Sequence, residues 1–342
     1  MRFKITLFFL ISVLAISCTN NKDIDTSNID INLEVQRFDQ DLTQVKPLNV
    51  TQDLATLEKK YPTFYNDYFE KILSVGTKQN PEYYSTIAAV LEGDAFKELQ
   101  KETNQVYPNF DQYQEEITES FKRIKYYYPE WKTPKIITYI SGFQVQTPIG
   151  SGYVGIGLDM FLGRESKFYP ALVETIPRYI SRRFTPENIT PRVVEVITRE
   201  ELFPELSNDK TLLSKMIYNG KLLYFMKQIL PQVADSTLIG YSEAQMKWAT
   251  DFESDTYAYF LEYNLLYESD YFKIQKFISE APFTPGLGTK NDSAPKLGNF
   301  IGWQIVKRYM EENTEVDLKQ LMLEKDAQKV LRMAKYRPIN KK

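Results

Sequence analysis

Asp251, Asp255 and Glu262 lie four and seven positions apart, a spacing that sets three carboxylates on one helical face, as a metal site or an acid/base pair would require. Earlier in the chain, Arg199-Glu200-Glu201-Leu202-Phe203 closes an apolar stretch with paired acids. Gly152, Gly155 and Gly157 crowd together as glycines do in phosphate-binding loops, and Cys18 is the only thiol. Against these stands one absence: the chain has no histidine. Without imidazole there is no Ser-His-Asp or Cys-His arrangement, no paired-histidine zinc site and no histidine general base. The chemistry that survives is a carboxylate pair of the glycosidase kind, a Ser-Lys dyad, or a metal held by oxygen ligands.

Each surviving candidate has a structural counterpart. Trp248, Phe252, Tyr259 and Tyr263 repeat at the same kind of spacing as the acid row, so the stretch reads as a core stripe with the acids at its wet margin. No Lys-Ser or Lys-Thr follows the glycines, and their spacing fits neither nucleotide fingerprint; a strand whose glycines admit close packing fits better. The 24 tyrosines and 21 phenylalanines suit either a packed core or a groove for glycan or protein.

The elements that must position these residues begin after a leader. Arg2 and Lys4 precede an uncharged, mostly apolar run over residues 5–16, too short for the roughly 20 residues of a bilayer-spanning helix. Leu14-Ala15-Ile16-Ser17-Cys18 is lipobox-like, so residues 1–17 are expected to be a lipoprotein signal peptide cut before Cys18, which then carries acyl chains. Residues 18–32 are polar and free of aromatics, a flexible tether. With the thiol taken up by lipid, the mature chain has no disulfide and no thiolate ligand. Without Arg2 and Lys4 it has 40 basic residues against 45 acidic ones, which argues against nucleic acid as a partner.

Residues 33–342 are expected to form a single mainly helical globular domain of α+β class with one small antiparallel sheet. A first strand is expected at 33–38, and β-branched or aromatic runs at 135–140, 143–146 and 152–156 form the rest. Apolar periodicity places helices at 51–60, 64–75, 81–106, 111–128, 171–183, 191–202, 211–230, 242–267, 272–279 and 300–312, and a final pair from Asp317.

Five phrases, in order, carry a resemblance over nearly the whole chain: Gln36-Arg37-Phe38-Asp39, Gly157-Leu158-Asp159-Met160-Phe161-Leu162-Gly163, Asn219-Gly220-Lys221-Leu222-Leu223-Tyr224-Phe225-Met226, Ala281-Pro282-Phe283-Thr284, and Gly298-Asn299-Phe300-Ile301-Gly302-Trp303-Gln304-Ile305-Val306. The chain resembles the gliding motility lipoprotein GldB family of the Bacteroidota. The resemblance implies a lipid-anchored cell-envelope protein facing the periplasm, whose partners are the membrane and other proteins of the gliding machinery and the linked type IX secretion system. A fainter likeness is to zinc metallopeptidases of the zincin type. It sets Arg199, Glu200 and Phe203 at the catalytic-helix motif and Asn219 at the later glutamate ligand, so only the Glu remains and the cleft is a vestigial one without metal or cofactor. The same residues also read as an ordinary amphipathic helix end with solvated charges. The expectation is a non-enzymatic interaction component, with the groove beside the sheet as its contact surface. The alternatives are a carboxylate-dependent envelope glycan hydrolase and a periplasmic peptide- or glycan-binding module.

Overall fold

The computed structural model describes residues 24–339. The expected signal peptide, Cys18 and the first part of the expected tether lie outside the described residues. Among the described residues four short strands, β1 (Val35–Arg37), β2 (Lys135–Tyr139), β3 (Ile149–Gly150) and β4 (Tyr153–Gly157), form one sheet in the order β1-β2-β4-β3.

The sheet is mixed, which corrects the antiparallel one expected. β1 and β2 pair parallel, with Val35 beside Ile136, and β2 and β4 pair parallel, with Ile136 beside Val154; only β3 and β4 are antiparallel. Connection length is the cause. Between β1 and β2 lie helices α1 (Val50–Lys60), α2 (Tyr83–Glu92), α3 (Asp94–Val106) and α4 (Asp111–Tyr127), more chain than a parallel return needs. After β2, residues 141–148 carry the chain back so that β4 enters between β2 and β3. The strand expected at 143–146 is part of this loop, because the buried carboxylate of Asp159 claims its backbone. Asp159 accepts from the Ser141 amide at 2.8 Å, the Phe143 amide at 2.6 Å and the Ser141 hydroxyl at 3.0 Å.

Alternate residues of the central strands face two cores. Ile136, Val154 and Ile156 join the large core, and Ile137, Tyr139 and Tyr153 join a smaller aromatic one. In the smaller core Phe38 meets Tyr61, Phe64 and Tyr68 edge-on at 4.9, 5.0 and 4.6 Å. Much of the aromatic content therefore serves packing. Gly155 has the role expected of it: a Cβ there would sit 2.9 Å from both the Tyr139 ring and Pro148.

The second half of the chain is helical: α5 (Ile189–Val196), continued by a π-helical turn at Ile197–Leu202, then α6 (Leu212–Ile229), α7 (Glu243–Asp251), α8 (Glu253–Glu262), α9 (Leu297–Glu312), α10 (Leu318–Leu323) and α11 (Ala327–Ala334). Three expected helices are interrupted. Gly93, in extended conformation, divides 81–106 into α2 and α3. The 171–183 stretch holds only short helical turns at Tyr169–Leu172, with Pro170 in its first turn, and at Arg178–Ser181, which Pro177 precedes. Phe252, at φ −107° and ψ 21°, splits 242–267 into α7 and α8 and shifts the phase of the buried face. Ala249, Thr256 and Phe260 are buried there; of the expected stripe, Trp248 and Tyr259 pack half-buried against the large core, Phe252 stacks on Trp248, and Tyr263 is exposed.

Candidate functional site

α5 and the π turn after it carry Arg192, Glu195 and Arg199 at intervals of three and four, which puts alternating charge on one face. The two arginines flank the carboxylate: Arg192 bonds it directly and Arg199 approaches to 3.7 Å. Arg192 also donates from Nε to Gln146 Oε1 at 3.1 Å, which ties α5 to the loop held by Asp159.

A second charged group faces this one. Lys296 precedes α9 in left-handed conformation, φ 48° and ψ 40°, a strained choice for a residue with a side chain. Its ammonium is buried and donates to Glu280 at 2.6 Å and to Ile239 O at 2.8 Å. Arg183 pairs with the same Glu280 at 3.1 Å. Gly240, at φ 76°, leaves the space that the Arg183 guanidinium fills, since a Cβ there would collide with it. Asn299 donates to Ile278 O at 3.2 Å and keeps a buried Oδ1 without a partner.

These residues bound two adjoining cavities that share Arg183. The inner one, about 30 Å³, is lined by Glu195, Arg199, Asn219, Lys296 and Asn299 and has room for a single water. The outer one, about 270 Å³, opens between the 141–148 loop and residues 175–184, with Phe143, Met160, Ile180 and Phe184 on its walls and Arg183 and Arg192 at its edge. Four cations thus surround two carboxylates. Burial by itself would raise the Glu195 pKa, but Arg192, Arg199, Lys296 and Arg183 outweigh it and hold the group at about 2. Glu280 is likewise lowered, with burial opposed by Lys296 and Arg183, and burial lowers Lys296 against the pull of Glu280.

The residues singled out from sequence separate into two groups. Arg199 and Asn219 meet, with Arg199 donating from both terminal nitrogens to Asn219 Oδ1 at 3.3 and 3.2 Å. Glu200 is exposed and lines neither cavity. Phe203 ends the π turn, packs on Tyr128 and Phe225, and lines a separate apolar cavity of about 550 Å³ with Leu206, Tyr218 and Leu323. Asp251 pairs with Lys247 at 2.6 Å, and Asp255 and Glu262 are exposed. Among the described residues no three acids stand close enough together to hold a metal ion. Arg183, Arg192, Glu195, Glu280 and Lys296 were not singled out from sequence. The alternating charge at 192, 195 and 199 was a readable signal, whereas Lys296 and Glu280 reach the site only through the fold.

The phrases that carry the family resemblance hold structural positions. Arg37 clamps the buried Asp39 at 3.0 and 2.7 Å, and Thr138 of β2 bonds the same carboxylate. Asp159 anchors the loop, Thr284 is buried and donates to Ala294 O at 2.8 Å, and Gly220 and Gly302 let α6 and α9 cross in backbone contact. No curated protein and no solved structure matches the chain. The family model described as Gliding motility protein GldB matches residues 19–338, nearly the whole length, and the chain belongs to that family.

Proposed function

We propose that the protein is a lipid-anchored component of the gliding apparatus and its linked type IX secretion system, held on an envelope membrane through Cys18, facing the periplasm, and working by binding rather than catalysis. The observation that carries the reading is that both carboxylates of the cleft, Glu195 and Glu280, are held in ion pairs by its four cations. A general acid or base works best with a pKa near the working pH. Glu195, flanked by two guanidiniums that lower its pKa, suits a fixed charge that shapes the cleft better than a proton-transfer group. The family membership supports the gliding role. No helix among the described residues is long and apolar enough to cross a membrane.

The test is crosslinking in gliding cells followed by purification of the tagged lipoprotein, in parallel with incubation of the pure protein with isolated cell-wall glycan. Stoichiometric recovery of other envelope proteins and no release of new reducing ends is the expected result. Release of reducing ends that depends on Glu195 would overturn the binding reading and favour the hydrolase.

A further inference from the structure

We infer that the outer cavity beside the 141–148 loop receives the C-terminal end of a peptide chain, its α-carboxylate on Arg183 and Arg192 and its last side chain among Phe143, Ile180 and Phe184. The inference rests on the binding role proposed above and names the ligand class of that site.

Charge points to an anion. Arg183 and Arg192 are the charged residues that line the outer cavity; they pair with Glu280 and Glu195, neither of which lines it, and with Arg199 and Lys296 beside those two acids the joined group keeps two positive charges in excess, a field that favours an anion in the cavity. Backbone strain is a further sign at Phe143, which lines this cavity at φ 64°, because a left-handed aromatic residue persists only where the surroundings hold it, and such strain gathers at ligand sites.

Shape and chemistry narrow the anion. A space of about 270 Å³ lies below the range of roughly 300–1,000 Å³ typical of drug-sized ligands, too little for an acyl chain or an extended glycan and enough for one or two residues. The apolar wall suits a hydrophobic side chain. Guanidinium N–H groups suit a carboxylate, and beyond the pair with Glu280 and the bonds to Gln146 and Glu195 both Arg183 and Arg192 keep further N–H donors, while Gln144 on the lining offers both a donor and an acceptor to a peptide group.

The test uses the full-length lipoprotein in detergent micelles and fluorescent hexapeptides ending in leucine, one series with a free α-carboxyl and one amidated. The free acid is expected to bind about tenfold more tightly, the size of one charge-assisted pair. Arg183→Lys, which keeps the charge and loses the fork, and Arg192→Gln should each erase that advantage while circular dichroism shows the fold retained. Equal binding of acid and amide would overturn the inference. So would displacement of the acid peptide by low-millimolar inorganic phosphate, which would make the cleft a phosphate site. Glycan cleavage by the pure protein would go against the proposed function and leave the acid-to-amide comparison intact, so the two failures are distinguishable.

Discussion

Gly220 of α6 faces Gly302 of α9 so closely that a Cβ on Gly220 would run into the Gly302 carbonyl group and lie 2.8 Å from the Trp303 amide nitrogen. A Cβ on Gly302 would in turn lie 2.9 Å from Met216 Cα. The obstacles are backbone atoms, so no side chain can swing aside.

Gly220→Ala or Gly302→Ala is therefore expected to push the two helices apart and cost about 1–3 kcal/mol or more, the scale of overpacking in a core. Urea denaturation of each variant measures it, and wild-type stability in both would refute the close crossing.

Packing and chemistry predict opposite rankings for two other variants. Trp303 is fully buried, and Trp303→Ala should cost about 3–5 kcal/mol. Glu200 is exposed and outside both cavities of the cleft, so Glu200→Gln should leave gliding intact. Loss of gliding in Glu200→Gln with the protein folded, abundant and membrane-bound would contradict the non-enzymatic reading.

Glu195 links the cleft to acid stability. Its folded pKa of about 2 lies below its ordinary 4.5, so its contribution is fully present above pH 4.5 and is lost as pH falls towards 2. Because its side chain is 27% exposed, solvent screens part of the effect, and Glu195→Gln should destabilise the protein by about 1–3 kcal/mol at pH 7. The gap between variant and wild type should close between pH 4.5 and 2; a gap that stays constant there would show that the arginines do not hold the carboxylate.

Lys221 of α6 is buried at the foot of the apolar cavity, where Nζ donates to Met322 O at 3.2 Å and Glu324 O at 2.6 Å. Burial lowers its pKa from 10.5 to about 8, with Glu324 acting in the other direction. The unfolded chain thus binds the proton more tightly, so the cost of the buried charge is full below pH 8 and disappears as pH rises to 10.5. Thermal melts should show wild type gaining stability relative to Lys221→Met over that window, and parallel profiles would contradict the shift.

Cys18 is expected to carry the anchor. Two or more acyl chains hold a protein stably whereas one does so only marginally, so Cys18→Ser should release the protein from membranes or stall its processing. Mass spectrometry that finds an unmodified Cys18 in the mature protein would reject lipid anchoring.

What the sequence settles by itself is local or compositional. The lack of histidine removes whole classes of mechanism wherever the side chains come to lie, and periodicity locates α1, α4, α6 and α9 because a helix's hydrogen bonds close within one segment. β1 is readable for a similar reason, as a short run between tether and helix. Pairing is not readable, since β1 reaches β2 only across about a hundred residues, and nothing in either strand states whether its neighbour runs parallel. The cleft divides the same way. Arg192, Glu195 and Arg199 share a face by helix spacing alone, but Arg183, Glu280 and Lys296 come from separate turns that the packing of α5, α6 and α9 brings together. Glu200 and Phe203 show the converse. They are neighbours of Arg199 in sequence, yet the π turn exposes the first and sends the second into a different cavity, because orientation about a helix is decided by what the helix packs against.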